Sequence, residues 1–304
     1  MRIEFGLGLC LCLALLAGAA GAGDHIEARS LEGLELARPT LAPATADDFE
    51  AKLATARATF DREPSADALI WVGRRTAYLG RYREAIAIFT EGVRRYPDDP
   101  RMLRHRGHRF LSTRQLALAE RDLTAAARMV SGRPDEVEPD GLPNARGIPT
   151  STLHSNVFYH LGLAHHLLGE YEAAVSAWQE CLAAAKNPDM EAATRYWLVL
   201  GLDRAGRTQE AAAVMAAVDP AWDIIENHAY HRLLLLFRGD LELAEFDGNG
   251  SALDSATESY GVIRWHERSG RAEEAAALRN RLLAGDQWAA FGFIAAEADR
   301  ARSE

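Results

Sequence analysis

Apolar residues recur at helical steps along much of this chain. Phe49, Leu53, Ala56 and Phe60 fall three or four apart, which predicts an amphipathic helix that Pro64 stops. Residues 69–100, LIWVGRRTAYLGRYREAIAIFTEGVRRYPDDP, predict two more helices joined by a turn at Gly80, the second ended by Pro97. Gly73 and Ala85 are small enough to let the two approach, and Leu79, Tyr82, Ile86 and Phe89 are the large residues that fill the contact. Upstream, residues 23–46 hold Pro39 and Pro43 among Gly, Ala and Thr, keep no helical period, and read as a flexible leader.

The unit repeats. Gly107 stands 34 residues after Gly73 and Ala119 stands 34 after Ala85, with Phe110, Leu116 and Leu123 at large positions. Gly162, Leu168, Gly169, Tyr171, Ala174 and Trp178 repeat the pattern in YHLGLAHHLLGEYEAAVSAW, and Leu198, Gly206, Ala211 and Met215 do so in YWLVLGLDRAGRTQEAAAVM. Trp265, Gly270, Ala275 and Leu278 form a degenerate late copy. These residues resemble the tetratricopeptide repeat family of 34-residue helix–turn–helix units, over about residues 47–285. The segments RHRGHRFLSTRQ, DIIENHAYHRLLLLFRG and QWAAFGFIAAEADRAR also resemble an exported bacterial group of such proteins.

The resemblance implies an all-α, right-handed superhelical solenoid of antiparallel helix pairs. Residues 47–130 form a first block of repeats, 131–151 a Gly-, Pro- and Asp-rich inserted loop, and 152–304 a second block. A second interruption runs over residues 219–259. A last helix over residues 288–302 is expected to cap the array, turning Glu297, Asp299, Arg300 and Arg302 to water.

Composition narrows the class. At 304 residues and 48% hydrophobic the chain has apolar material for a core, which excludes a disordered protein. Its net charge of −10 argues against a nucleic-acid partner. Residues 1–22, MRIEFGLGLCLCLALLAGAAGA, read as a signal peptide cleaved after Ala19 or Ala22, so the expected address is periplasmic or secreted. Cys10 and Cys12 each follow a leucine, unlike a lipoprotein site, and cleavage would leave Cys181 as the single thiol. No later stretch reaches the roughly 20 apolar residues of a spanning helix.

In the family that the chain resembles, first helices line the concave face. Carried over, that face holds Arg74 and Tyr78 from the first copy, and Arg101, Arg104, His105 and His108 from the second. The third copy adds Asn156, Tyr159 and His160, and the fourth Tyr196 and Trp197. Arginine forks bind carboxylates in two places at once, and Tyr and Trp supply broad contact area. The expected partner is therefore a protein or peptide bearing an anionic group, with Arg101 and Arg104 acting together. A small anionic metabolite is the alternative. Histidines near an ordinary pKa would strengthen anion binding as pH falls from about 7.5 to about 6.

Other constellations point nowhere further. The pairs His105/His108 and His228/His231 lack the third and fourth ligands of a zinc site. Asp247, Asn249, Ser251 and Glu258 take the oxygen places of a calcium loop, but Ala252 stands where its sharp turn needs glycine. There is no nucleophile elbow and no phosphate-cradling loop, so neither a catalytic residue nor a cofactor is assigned and the chain does not read as an enzyme. Cys181 is expected to be a packed thiol.

Overall fold

A computed structural model describes residues 25–247 and 256–303. The signal segment and most of the calcium-like loop lie outside the described residues.

Helix pairs follow one another as the periodicity predicts. Helix α1 (Pro43–Arg62) precedes the pairs α2 (Ala66–Tyr78) with α3 (Tyr82–Arg95) and α4 (Pro100–Ser112) with α5 (Leu116–Val130). After the inserted loop come α6 (Leu153–Leu168) with α7 (Tyr171–Ala184) and α8 (Pro188–Arg204) with α9 (Thr208–Ala216). The chain continues through α10 (His228–Arg238), α11 (Leu243–Asp247), the pair α12 (Ala256–Arg268) and α13 (Ala272–Leu283), and ends on α14 (Phe291–Ser303). Each helix packs on the next from α1 to α9, and α2, α4, α6 and α8 also touch in that order. The fold is thus all-α and tetratricopeptide-like. No helix among the described residues is long and apolar enough to cross a membrane.

Inside each pair one rule sets the spacing. A Cβ built on Gly73 would come within 2.4 Å of the Phe89 ring, on Gly107 within 2.7 Å of Leu123, and on Gly162 within 2.3 Å of Trp178. Each large residue follows its glycine by sixteen, so the bare backbone of one helix is the socket for the bulkiest side chain of its mate. Ala85, Ala119 and Ala174, all fully buried, keep the backbones close beside these sockets.

Two features depart from an open solenoid. Residues 26–37 are not a loose leader: β1 (Ile26–Arg29) and β2 (Glu35–Ala37) pair antiparallel. The buried carboxylate of Glu27 holds this hairpin down, accepting from Arg38 at 2.7 Å and from the Arg83 backbone N–H at 3.0 Å. The first helix accordingly begins at Pro43. A sequence with prolines and no helical period could still order, because a carboxylate and two short strands met partners supplied from elsewhere.

The second departure is α14, which is not a water-facing cap. Ile294, Ala295, Ala296 and Ala298 are buried, and so are Glu297 and Asp299. It packs on α12, α13 and α6. Asp299 receives the Tyr260 hydroxyl at 3.0 Å and pairs with Arg204 at 2.5 Å. Glu297 reaches the hairpin through the Leu31 backbone N–H, and the Trp288 indole donates to Ala37 O at 2.9 Å. The two ends of the array are tied together. Glu297 and Asp299, expected to face water, are instead buried acids met by charged partners on other elements, whereas Arg300 is half-buried and Arg302 exposed.

Candidate functional site

The residues expected on the concave face divide into three groups. Arg74 and Tyr78 on α2, and Arg104, His105 and His108 on α4, converge on one cavity of about 120 Å³. Asn156 and His160 on α6 border it, since the His108 and His160 rings lie 4.4 Å apart. Arg101, Tyr159, Tyr196 and Trp197 do not join it.

Arg101 sits at the amino end of α4, where it pairs with Asp99 at 2.6 Å and with Asp67 at 2.5 Å. These bonds, above all that to Asp99, hold its guanidinium firmly charged. Tyr196 and Trp197 are fully buried. The Trp197 indole donates to the Tyr159 hydroxyl at 2.9 Å, and Tyr159 lies 3.1 Å from the Tyr230 hydroxyl. These aromatics are core, because α8 is covered by α10 on the side that an open groove would leave free.

The face is not empty. The inserted loop lies across it, joined to the start of α6 by the Val137–Thr152 bridge and by Glu138 N–H donating to Ser151 O at 3.1 Å. Arg74 donates to Pro139 O at 2.7 Å and Arg75 to Gly141 O at 2.8 Å. Gly141 presses so closely on Tyr78 that a Cβ there would overlap the hydroxyl. At the centre is Glu138, itself buried. Arg104 approaches one carboxylate oxygen at 3.0 Å and His105 Nε2 stands 3.6 Å from it, while Asn156 donates to the other at 3.1 Å. From the far side α14 brings Phe291 to 5.2 Å from the His108 ring and 5.6 Å from that of His160.

Hydrogen bonds fix the histidine states. Arg104 Nη1 can only donate, and it lies 2.8 Å from His105 Nδ1, so that nitrogen accepts and the proton sits on Nε2 toward Glu138. His160 Nδ1 donates to Asn156 O at 2.6 Å. Burial, reinforced by neighbouring arginines, holds His105, His108 and His160 well below the usual imidazole range. They are neutral at pH 6 as at pH 7.5. This runs against the expected rise in anion affinity between those values. The positive charge at this site belongs to arginine alone.

Two residues of this face were not singled out by sequence reasoning. Arg109 also lines the cavity; burial and the nearby Arg104 and Arg74 lower its pKa to about 10, although tyrosines oppose the shift. Its signal was its place four residues after His105, on the same helix face. Glu138 had none, because an irregular loop carries no period from which to infer where a side chain points. Elsewhere, Cys181 is fully buried, near Thr194 Oγ1 at 3.1 Å, and burial pushes its thiol up to about 12, which leaves no thiolate for chemistry. No group of three or more His, Cys, Asp or Glu fit to hold a metal occurs among the described residues.

Residues 155–188, from the first turn of α6 through α7 to the start of α8, match the tetratricopeptide repeat family. No curated protein matches the chain. Solved structures similar to it include a tetratricopeptide repeat protein from Parabacteroides merdae, 14% identical over 78% of this chain and 86% of that one, with a TM-score of 0.47. TTC0263 from Thermus thermophilus is 19% identical over 69% and 92%, with a TM-score of 0.41. YrrB, described as having an unusual peptide-binding site, is 14% identical over 80% and 96%, also at 0.41.

Proposed function

We propose that this chain, whose residues 155–188 match the tetratricopeptide repeat family, is an exported scaffold that holds a partner protein through an extended acidic segment on its concave face. The observation that carries the reading is the capture of Glu138. Arg104, His105 and Asn156 grip a carboxylate presented on extended backbone, while Arg74 and Arg75 take the carbonyls that follow it. The loop therefore displays the ligand chemistry that this face selects: an acidic side chain, then a backbone read through its carbonyl oxygens. A partner segment of the same kind takes the place of the loop.

Displacement has a cost. Charge-assisted hydrogen bonds to a buried carboxylate contribute about 1.5–3 kcal/mol. Self-occupancy of that strength weakens apparent affinity roughly ten- to hundred-fold. A fluorescent peptide with the loop's own sequence, EVEPDG, tests the reading. It should bind the Glu138→Ala protein at least tenfold more tightly than wild type, and Arg104→Gln in that background should abolish binding. Failure of the Glu138→Ala protein to bind, or equal binding after loss of Arg104, refutes it.

Export is part of the same proposal and rests on the apolar run and small residues of the first 22 positions. Amino-terminal sequencing of the mature protein should begin at Ala20 or Gly23. Recovery of the protein only from the cytoplasm, with Met1 intact, defeats this part and leaves the concave face to be judged separately.

A further inference from the structure

We infer that the cavity behind Glu138 is a binding site for a small tetrahedral oxyanion of the phosphate class, held by Arg74, Arg104 and Arg109 while the loop is in place. This goes beyond partner capture: the anion is a resident of the closed form, seated between α2 and α4 beside the loop and separate from any segment that replaces it.

Charge supplies the first reason. Three guanidinium groups line the cavity, and Glu138 on Arg104 is the single carboxylate in ion-pair contact with them among the described residues. Arg74 spends its hydrogen bonds on Pro139 O and the Tyr78 hydroxyl, and Arg109 lies over the Tyr82 ring at 5.4 Å. Neither has an acid within ion-pair distance among the described residues. The three positive charges repel one another in a setting that water screens poorly. A cluster of like charge built around the buried Arg104, with Arg74 and Arg109 half-buried beside it, is costly unless an anion neutralises it.

An unmet donor supplies the second. Arg104 is buried, with Nη1 on His105 and Nη2 on Glu138, yet its Nε–H is buried without a hydrogen-bond partner. A buried donor left unpaired is itself a pointer to a ligand. Size supplies the third. A cavity of about 120 Å³ has room for a small tetrahedral oxyanion. The neutral rings of His105 and His108 and the Tyr78 hydroxyl add uncharged partners, and the partly exposed Arg74 and Tyr78 form the rim.

The test uses the full chain and inorganic phosphate, without any peptide. In chloride buffer at pH 7.5 and matched ionic strength, low-millimolar phosphate should raise the melting temperature by a few degrees and broaden the phosphate ³¹P resonance. Sulfate should raise the melting temperature likewise, and acetate much less. Arg109→Gln should melt no lower than wild type in chloride and lose both phosphate effects. General salt stabilisation acts on both proteins equally, so the difference between them is the readout. Arg74→Gln, at the rim, replaces Arg109→Gln if the latter does not fold. Absence of broadening with wild type, its retention in the variant, or an acetate effect equal to that of phosphate overturns the assignment. Peptide capture by the Glu138→Ala protein stands or falls independently of these results.

Discussion

Arg114 and Glu297, 183 residues apart, meet through two hydrogen bonds of 2.7 and 3.0 Å with both side chains almost wholly buried. Arg114 occupies the turn between α4 and α5 at φ +61°, where the corresponding turns carry Gly80, Gly169, Gly206 and Gly270. A left-handed conformation costs an L-residue about 1 kcal/mol that glycine avoids. The strained turn aims the guanidinium at the last helix and locks α14 against the second repeat.

Loss of one partner from this pair leaves a buried charge. Glu297→Ala should destabilise the protein by about 3–5 kcal/mol in urea denaturation. Arg114→Gly with Glu297→Leu removes the charge and the turn strain together and should recover most of that loss. A double variant no more stable than Glu297→Ala would show that the pair does not couple the two ends.

The glycine sockets set the spacing within each pair, so filling one is costly. Gly162→Ala drives a methyl into the Trp178 indole, and Ala174→Leu overfills the adjoining contact. Each should cost about 1–3 kcal/mol with helical content retained. Gly206→Ala, which meets nothing in space but sits at φ +73°, should cost about 1 kcal/mol through the backbone alone. Equal losses at all three positions would contradict the socket.

Acid should unfold the protein through its buried histidines. Burial depresses His105, His108 and His160, and takes His166 to about 3. In the unfolded chain these groups titrate near 6.5, so as pH drops the unfolded state takes up protons first. Their contribution is intact above about 6.5 and shrinks by up to about 1.4 kcal/mol per pH unit for each histidine below it. The urea midpoint should hold between pH 7.5 and 6.5 and fall steeply by pH 5. A midpoint that rises on acidification would mean that these rings are protonated in the fold.

The inserted loop should come off when its tightest contact is blocked. Gly141→Ala places a methyl inside the Tyr78 hydroxyl, so the loop must lift while α2 and α4 remain packed. Trypsin should then cut at Arg133 or Arg146 many times faster than in wild type, with unfolding stability little changed. Unchanged cleavage would place the loop's anchorage elsewhere, for instance at the Arg146–Asp223 pair.

Sequence alone determined the helix pairs, their turns and the residues that separate them, because these depend on contacts within about 34 positions and recur with a fixed period. Gly73, Gly107 and Gly162 could be matched to large partners without coordinates for that reason. The resemblance to a repeat family, carried over helix by helix, also placed Arg74, Tyr78, Arg104, His105 and His108 on one face. Only the tertiary structure decided what covers that face. Glu138 sits in a loop with no period, and α14 returns from the far end of the chain. Neither approach leaves a local trace, yet together they turn an open groove into a closed, arginine-rich concavity. Burial by those distant elements also fixed the histidines as neutral and sank Tyr196 and Trp197 into the core. A residue's charge state and exposure are properties of everything packed around it, and those neighbours are chosen by the whole fold.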